Sequence, residues 1–312
     1  MRTRIVALLL IAIIVSILVG LFLVKNPSSL RSKSGNLPSQ DNKILVSTSF
    51  YPLADFAQKI GGDKVRVINL TPAGSEPHDY EPTPKDLSDL YNSKLFIYNG
   101  AGLEGWVDKV LPDLLDRKIG IVKASDNIEV YGTTTKIDPH IWLDPVFAQQ
   151  MAINIRNGLQ KVDPVNADFY NTNADKLIVD LVSLDTSYQR SLQNCLQTDV
   201  VTSHEAMGYL SRRYKFLNFS ISGLSPNEEP SPQKMADLAT LVKEKQVKYI
   251  LTETLVSTKL ADTLASEAKV GVLVFNPLEG LTPDQLKSGE DYFSIQKNNI
   301  KNLSQALECT IN

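Results

Sequence analysis

Along the chain, short apolar runs rich in β-formers alternate with stretches in which apolar positions recur at helical spacing. Ile44–Ser49 is such a run. It is followed by a helical pattern through Ala54, Phe56, Ala57 and Ile60, which Gly61-Gly62 ends before the next strand, Val65–Leu70. Thr83-Pro84-Lys85-Asp86 reads as a helix start, with a capping hydroxyl, proline at the first helical position and a carboxylate three residues on. Leu95–Tyr98 and Ile119–Val122 are further strands. Beyond Asp163-Pro164, apolar side chains at Phe169, Leu177, Leu181, Leu184, Tyr188 and Leu192 form one helical stripe without an internal glycine or proline. A helix from Pro164 to Cys195 would be roughly 45 Å long. The alternation then resumes, with strands at Asp199–Ser203, Tyr249–Thr252 and Val272–Phe275, and helices from Ser231-Pro232 to Lys245 and from Asp291 to Leu307.

This order predicts an α/β fold, two Rossmann-like lobes with mostly parallel sheets joined by one long rigid helix. The expected divisions are an N-terminal lobe over 43–162, a connecting helix over 163–195 and a C-terminal lobe over 196–312. A coiled-coil dimer is the alternative for the long stripe, but the surrounding α/β pattern favours a connector, and a monomer is the expected state.

The N-terminus sets the compartment. Ile5–Val24 is an apolar run broken only by Ser16 and Gly20, long enough at 1.5 Å per residue to cross a bilayer core of about 30 Å. Residues 1–24 are therefore expected to be a membrane anchor, with a cleaved signal segment as the alternative, and 25–42 a flexible stalk. Either places the body outside the cytoplasmic membrane. In an oxidising space the two cysteines, Cys195 and Cys309, suggest a disulfide closing a loop of 114 residues, worth roughly 4–5 kcal/mol. Two unrelated buried thiols are the alternative.

Composition is globular, with 43% apolar and 21% charged residues. Residues 1–40 hold five basic side chains and no acidic one, so residues 41–312 carry 27 basic against 35 acidic, a balance of −8. Such a body repels nucleic-acid phosphates and suits cations.

The chain has three histidines, His78, His140 and His204, and each lies in a loop or just after a strand. In open α/β sheets ligands gather beyond the carboxyl ends of the strands. Three imidazoles, two from the first lobe and one from the second, would face each other across a cleft, the commonest ligands for zinc. Asp79, Asp138, Asp144 and Glu205 are candidate acceptors for the ring N–H groups, or ordinary caps and surface charges. No His-Glu-x-x-His pattern, Ser-His-Asp arrangement or phosphate loop is present, so a zinc hydrolase or lyase is the weaker reading and no enzyme activity is expected. A surface adhesin is a third reading.

Glu76-Pro-His-Asp-Tyr-Glu-Pro-Thr-Pro84, Tyr98-Asn-Gly-Ala-Gly-Leu-Glu-Gly-Trp106, Asp138-Pro-His-Ile-Trp-Leu-Asp-Pro145 and Ser203-His-Glu-Ala-Met-Gly-Tyr209, in that order, resemble the solute-binding proteins of zinc and manganese ABC importers. The resemblance covers about residues 43–309. It implies one divalent cation held between two lobes for delivery to a membrane permease, with His78, His140 and His204 as metal ligands. The family's fourth ligand is an aspartate ahead of a proline after the last strand. That position is Asn276 here, so Asn276, or Glu205 in its place, is expected to complete the shell. Three imidazoles favour Zn2+ over Mn2+ or Fe2+. The stretch from Asp126 to Lys136 lacks the histidine-rich loop of many zinc-type members, as manganese-type members also do.

Overall fold

The computed structural model describes residues 43–133 and 136–310. The expected anchor and stalk lie outside the described residues. Among the described residues, no helix is long and apolar enough to cross a membrane.

Strands β1 (Ile44–Thr48), β2 (Val65–Asn69), β3 (Leu95–Tyr98) and β4 (Gly120–Lys123) form a parallel sheet in the order β2-β1-β3-β4. A two-stranded hairpin, β5 (Gly132–Thr133) with β6 (Lys136–Ile137), follows. Strands β7 (Asp199–Thr202), β8 (Leu217–Ser220), β9 (Tyr249–Thr252) and β10 (Gly271–Val274) form a second parallel sheet, in the order β10-β9-β7-β8. Counted within its own lobe, each sheet therefore runs second-first-third-fourth. Both place a switch point, where successive connections leave in opposite directions, between their first and third strands.

Local chemistry sets the boundaries as the pattern predicted. Thr83 accepts from the backbone N–H of Asp86, whose carboxylate accepts from the N–H of Thr83, a reciprocal cap on helix Pro84–Tyr91. Helix Tyr51–Gly61 ends where Gly62 turns to φ +55°, a left-handed value that glycine adopts without strain.

The connecting helix is shorter than expected. Helix Pro145–Val162 comes first, then Asp163 leaves helical geometry and a 3-10 turn, Pro164–Asn166, precedes helix Ala167–Ser191. The Asp163 carboxylate accepts from Asn166 and from the Tyr170 hydroxyl, fixing the corner. The 25 residues of the helix span about 37 Å. Its buried stripe is Tyr170, Ala174, Leu177, Leu181, Leu184 and Tyr188, so Tyr170 rather than Phe169 is the fully buried aromatic. That stripe lies in a core that also contains Val46, Phe50 and Trp142 from the first lobe and Val200, Leu251 and Tyr292 from the second. A stripe consumed in this way is not available to a coiled coil.

Cys195 and Cys309 are bonded to each other, joining the segment after the connecting helix to the segment after the last helix, Tyr292–Ala306. The same two residues form an antiparallel β-bridge.

Candidate metal centre

The three histidines converge, although 126 positions separate the first from the last. His78 lies in the loop after β2. His140 lies between the β5–β6 hairpin and the 3-10 turn Ile141–Leu143, and His204 lies two residues past β7. The next helix begins at Gly208, four residues past His204. The fourth member is Glu279, in the loop after β10.

The contacting atoms are Nε2 of each ring and Oε1 of Glu279. His78 and His140 are 3.2 Å apart, and His140 and His204 3.1 Å. Glu279 lies 3.1 Å from His78, 3.1 Å from His140 and 3.0 Å from His204. Four donors on a tetrahedral zinc, at bonds of about 2.0–2.1 Å, stand about 3.3–3.4 Å from one another. The group is thus nearly the size of an occupied zinc shell.

The ring tautomers agree with this. His140 Nδ1 donates to Asp138 at 2.8 Å, and His204 Nδ1 donates to the Glu253 carboxylate at 2.7 Å. With the proton on Nδ1, each Nε2 turns a lone pair inward. Lone pairs aimed at one another and at a carboxylate repel unless a cation lies between them. Glu279 Oε2 is buried with no hydrogen-bond partner, a second acceptor without a donor.

With a proton in place of a cation between the Nε2 atoms and Glu279, the electrostatics describe the same demand. Burial opposes charge on His204, but the carboxylates of Glu279 and Glu253 outweigh it and hold the ring well above its ordinary value. Burial likewise opposes charge on His140, yet its bonds to Asp138 and Glu279 raise it. For His78 burial prevails and lowers the ring. Burial would raise Glu279, but the His204 charge and the bonds from all three rings hold it well below the usual carboxylate range. Glu76, which accepts from the backbone N–H of His78, is pushed up to about 9 by burial and by the neighbouring charge of Glu279. The pocket stabilises positive charge at its centre. Side-chain exposure is 0–1% for His140, His204 and Glu279 and 9% for His78, which also borders an open cavity of about 300 Å³ shared with Lys136 and Glu228.

The two residues expected at the fourth position are placed elsewhere. Asn276 points its amide oxygen at the backbone N–H of Leu278, 2.7 Å away, and its own backbone pairs with Asn299. It caps the turn that delivers Glu279 instead of joining the cluster. Glu205 is exposed and lies outside the group of converging donors. Of the other acids singled out, Asp138 holds His140, Asp144 caps helix Pro145–Val162 and pairs with Arg213, and Asp79 accepts from Asn227. The sequence reading missed Glu279 and Glu253. A signal existed for Glu279: it is a carboxylate in the same loop as Asn276, and three neutral imidazoles leave a buried dication without a counter-charge.

Residues 46–306 match the family model described as zinc-uptake complex component A, periplasmic. The high-affinity zinc uptake system protein ZnuA of Bacillus subtilis is 36% identical over 291 residues, covering 88% of this chain and 91% of that protein. The zinc-binding lipoprotein AdcA of Streptococcus pneumoniae is 34% identical over 313 residues, 96% of this chain but 61% of AdcA, so the chain spans about three-fifths of that longer relative. Among solved structures, the Zn(II)-bound ZnuA-like domain of Streptococcus pneumoniae AdcA superposes with a TM-score of 0.77 at 37% identity, over 85% of this chain and 99% of that one. The laminin-binding protein Lmb of Streptococcus agalactiae, described as an adhesin with metal-transporting activity, gives a TM-score of 0.77 at 30% identity, over 85% and 99%. Fold and site together define a two-lobed metal-binding protein. The chain belongs to the ZnuA family of zinc-uptake components.

Proposed function

We propose that this protein is the extracytoplasmic binding component of an ABC importer, which captures one Zn2+ between its lobes and delivers it to a membrane permease. His78, His140, His204 and Glu279 are the ligands. The observation that carries the reading is the set of five donor separations of 3.0–3.2 Å around one point. Three imidazoles and one carboxylate suit zinc better than manganese, which prefers oxygen ligands and binds more weakly at nitrogen sites. Glu279 also bears on the enzyme alternative. A catalytic zinc keeps one position for water, whereas here a buried carboxylate fills the fourth. Residues 1–24 bring the body to the outer side of the membrane, as an anchor or as a signal that is removed, and the Cys195–Cys309 disulfide suits that compartment.

The test is metal analysis of the full chain, with zinc titrated in competition with manganese. One tightly held zinc per chain is expected, displaced poorly by excess manganese and without turnover of ester or amide substrates. A chain that holds no zinc, or holds it equally well when His140 is replaced by alanine, refutes the assignment.

A further inference from the structure

We infer that Tyr209 and Arg213, on the short helix Gly208–Tyr214 of the second lobe, are positioning residues that clamp the His140 segment at both ends and so hold the distance between His140 and His204. The inference rests on the proposed metal centre. Four positions apart, the two side chains share a face of the helix. The Tyr209 hydroxyl donates to the backbone carbonyl of Asp138 at 2.6 Å and accepts from the backbone N–H of Tyr131 at 3.2 Å. Arg213 Nε lies 2.5 and 2.6 Å from the two carboxylate oxygens of Asp144. Asp138 and Asp144 bound the segment that carries His140, and Asp138 itself fixes the ring through Nδ1.

The helix also approaches at the closest possible range. A Cβ at Gly208 would lie 2.2 Å from Asp138 Oδ2, so the position admits only glycine without moving that carboxylate. Between its ends the segment is held by the second lobe again. The Trp142 indole donates to the carbonyl of Pro277 at 2.8 Å, and the Tyr292 hydroxyl donates to the carbonyl of Trp142 at 2.6 Å. His140 comes from the first lobe in chain order but is held by the second, together with His204 and Glu279. Ring positions on one zinc must agree to within a few tenths of an ångström, and loss of a ligand's partner typically costs 10–100-fold in metal affinity.

The test compares the full chain with Tyr209→Phe and with Arg213→Gln, using zinc itself as the probe. Because the chain has only three histidines, each ring N–H in the zinc-loaded protein is a separate nuclear magnetic resonance signal. Both variants are expected to bind zinc about tenfold or more weakly. Solvent exchange at the His140 Nδ1–H should accelerate in both, while the His204 Nδ1–H, held by Glu253, stays protected. Unchanged affinity and unchanged His140 exchange in either variant overturn the clamp. Equal loosening of both rings with a lowered melting temperature of the zinc-free protein also overturns it, since the bonds then serve only the fold. If the parent chain fails to hold zinc, or His140→Ala holds it normally, the metal centre itself falls.

Discussion

The two lobes share one sheet order, yet they use the same place in it differently. At the switch point of the second lobe, Glu253 follows β9 and takes both the backbone N–H and the ring Nδ1 of His204, which follows β7. At the equivalent place in the first lobe, Glu104 takes the backbone N–H groups of Asn99 and Gly100 and the hydroxyl of Ser49. Both carboxylates are buried. One orients a ligand, and the other closes the loops around itself. The first lobe instead supplies its histidines from the loop after β2 and from the excursion beyond β4. A shared topology marks where a site is possible, and the side chains at each strand end decide whether it is used.

The largest way to disturb this contrast is to remove a ligand. His204→Ala and Glu279→Ala should each weaken zinc binding by more than about 100-fold, beyond what loss of a ligand's partner costs, and a competition titration with a chelator measures this. Next come the two switch-point acids. Glu253→Gln should weaken zinc about 10–100-fold, because the charged acceptor that orients His204 and raises its basicity becomes a neutral amide. Glu104→Gln should leave zinc affinity close to the parent value and cost about 1–3 kcal/mol of fold stability, read by chemical denaturation, because its amide presents a donor where donors already point. Equal effects from both substitutions would erase the distinction between the lobes.

Zinc removal tests how far the site ties the lobes together. At free zinc about 1,000-fold above the dissociation constant, the bound ion adds about 4 kcal/mol. At about 2–4 °C per kcal/mol for a body of this size, chelation should lower the melting temperature by about 8–16 °C. Replacing Cys195 and Cys309 by serine should lower stability by about 2–5 kcal/mol and leave zinc affinity unchanged, since Cys195 precedes the start of β7 whereas His204 follows its end. The smallest effect is expected for Asn276→Ala. It frees the turn in which Leu278 sits at φ +59°, and should weaken zinc by less than about tenfold, the lower edge of the cost for an indirect support. A loss as large as that of Glu279→Ala would return Asn276 to the coordination shell.

Much of the architecture was legible because it is written in local patterns. Strands such as Leu95–Tyr98 and Tyr249–Thr252 appear where the apolar runs predicted them, and Thr83-Pro84 starts its helix as its chemistry requires. The corner at Asp163 was not, because proline is as good at opening a helix as at making a turn, and the choice depends on how Tyr170 reaches back to Asp163. Helix Lys259–Ala268 and strand β8 are short and were not read at all. The histidines were legible by scarcity and by loop position. Glu279 was hidden by an expectation tied to the residue before the proline. The structure moves the carboxylate three residues on, and a left-handed Leu278 swings it back to the cleft. Glu253, Tyr209 and Arg213 could not be found from spacing, since their partners are 49, 71 and 69 positions away.

The near-complete enclosure of the four donors has a kinetic consequence. A hydrated ion can settle there only by shedding its waters, and afterwards it has almost no solvent face from which to rehydrate. Its residence time is therefore expected to follow how often the polypeptide parts, with the His78 rim the most exposed edge, and not the fast ligand exchange of the free ion. On the proposed function, timing of that kind is something a receiving permease could command by pushing on the protein.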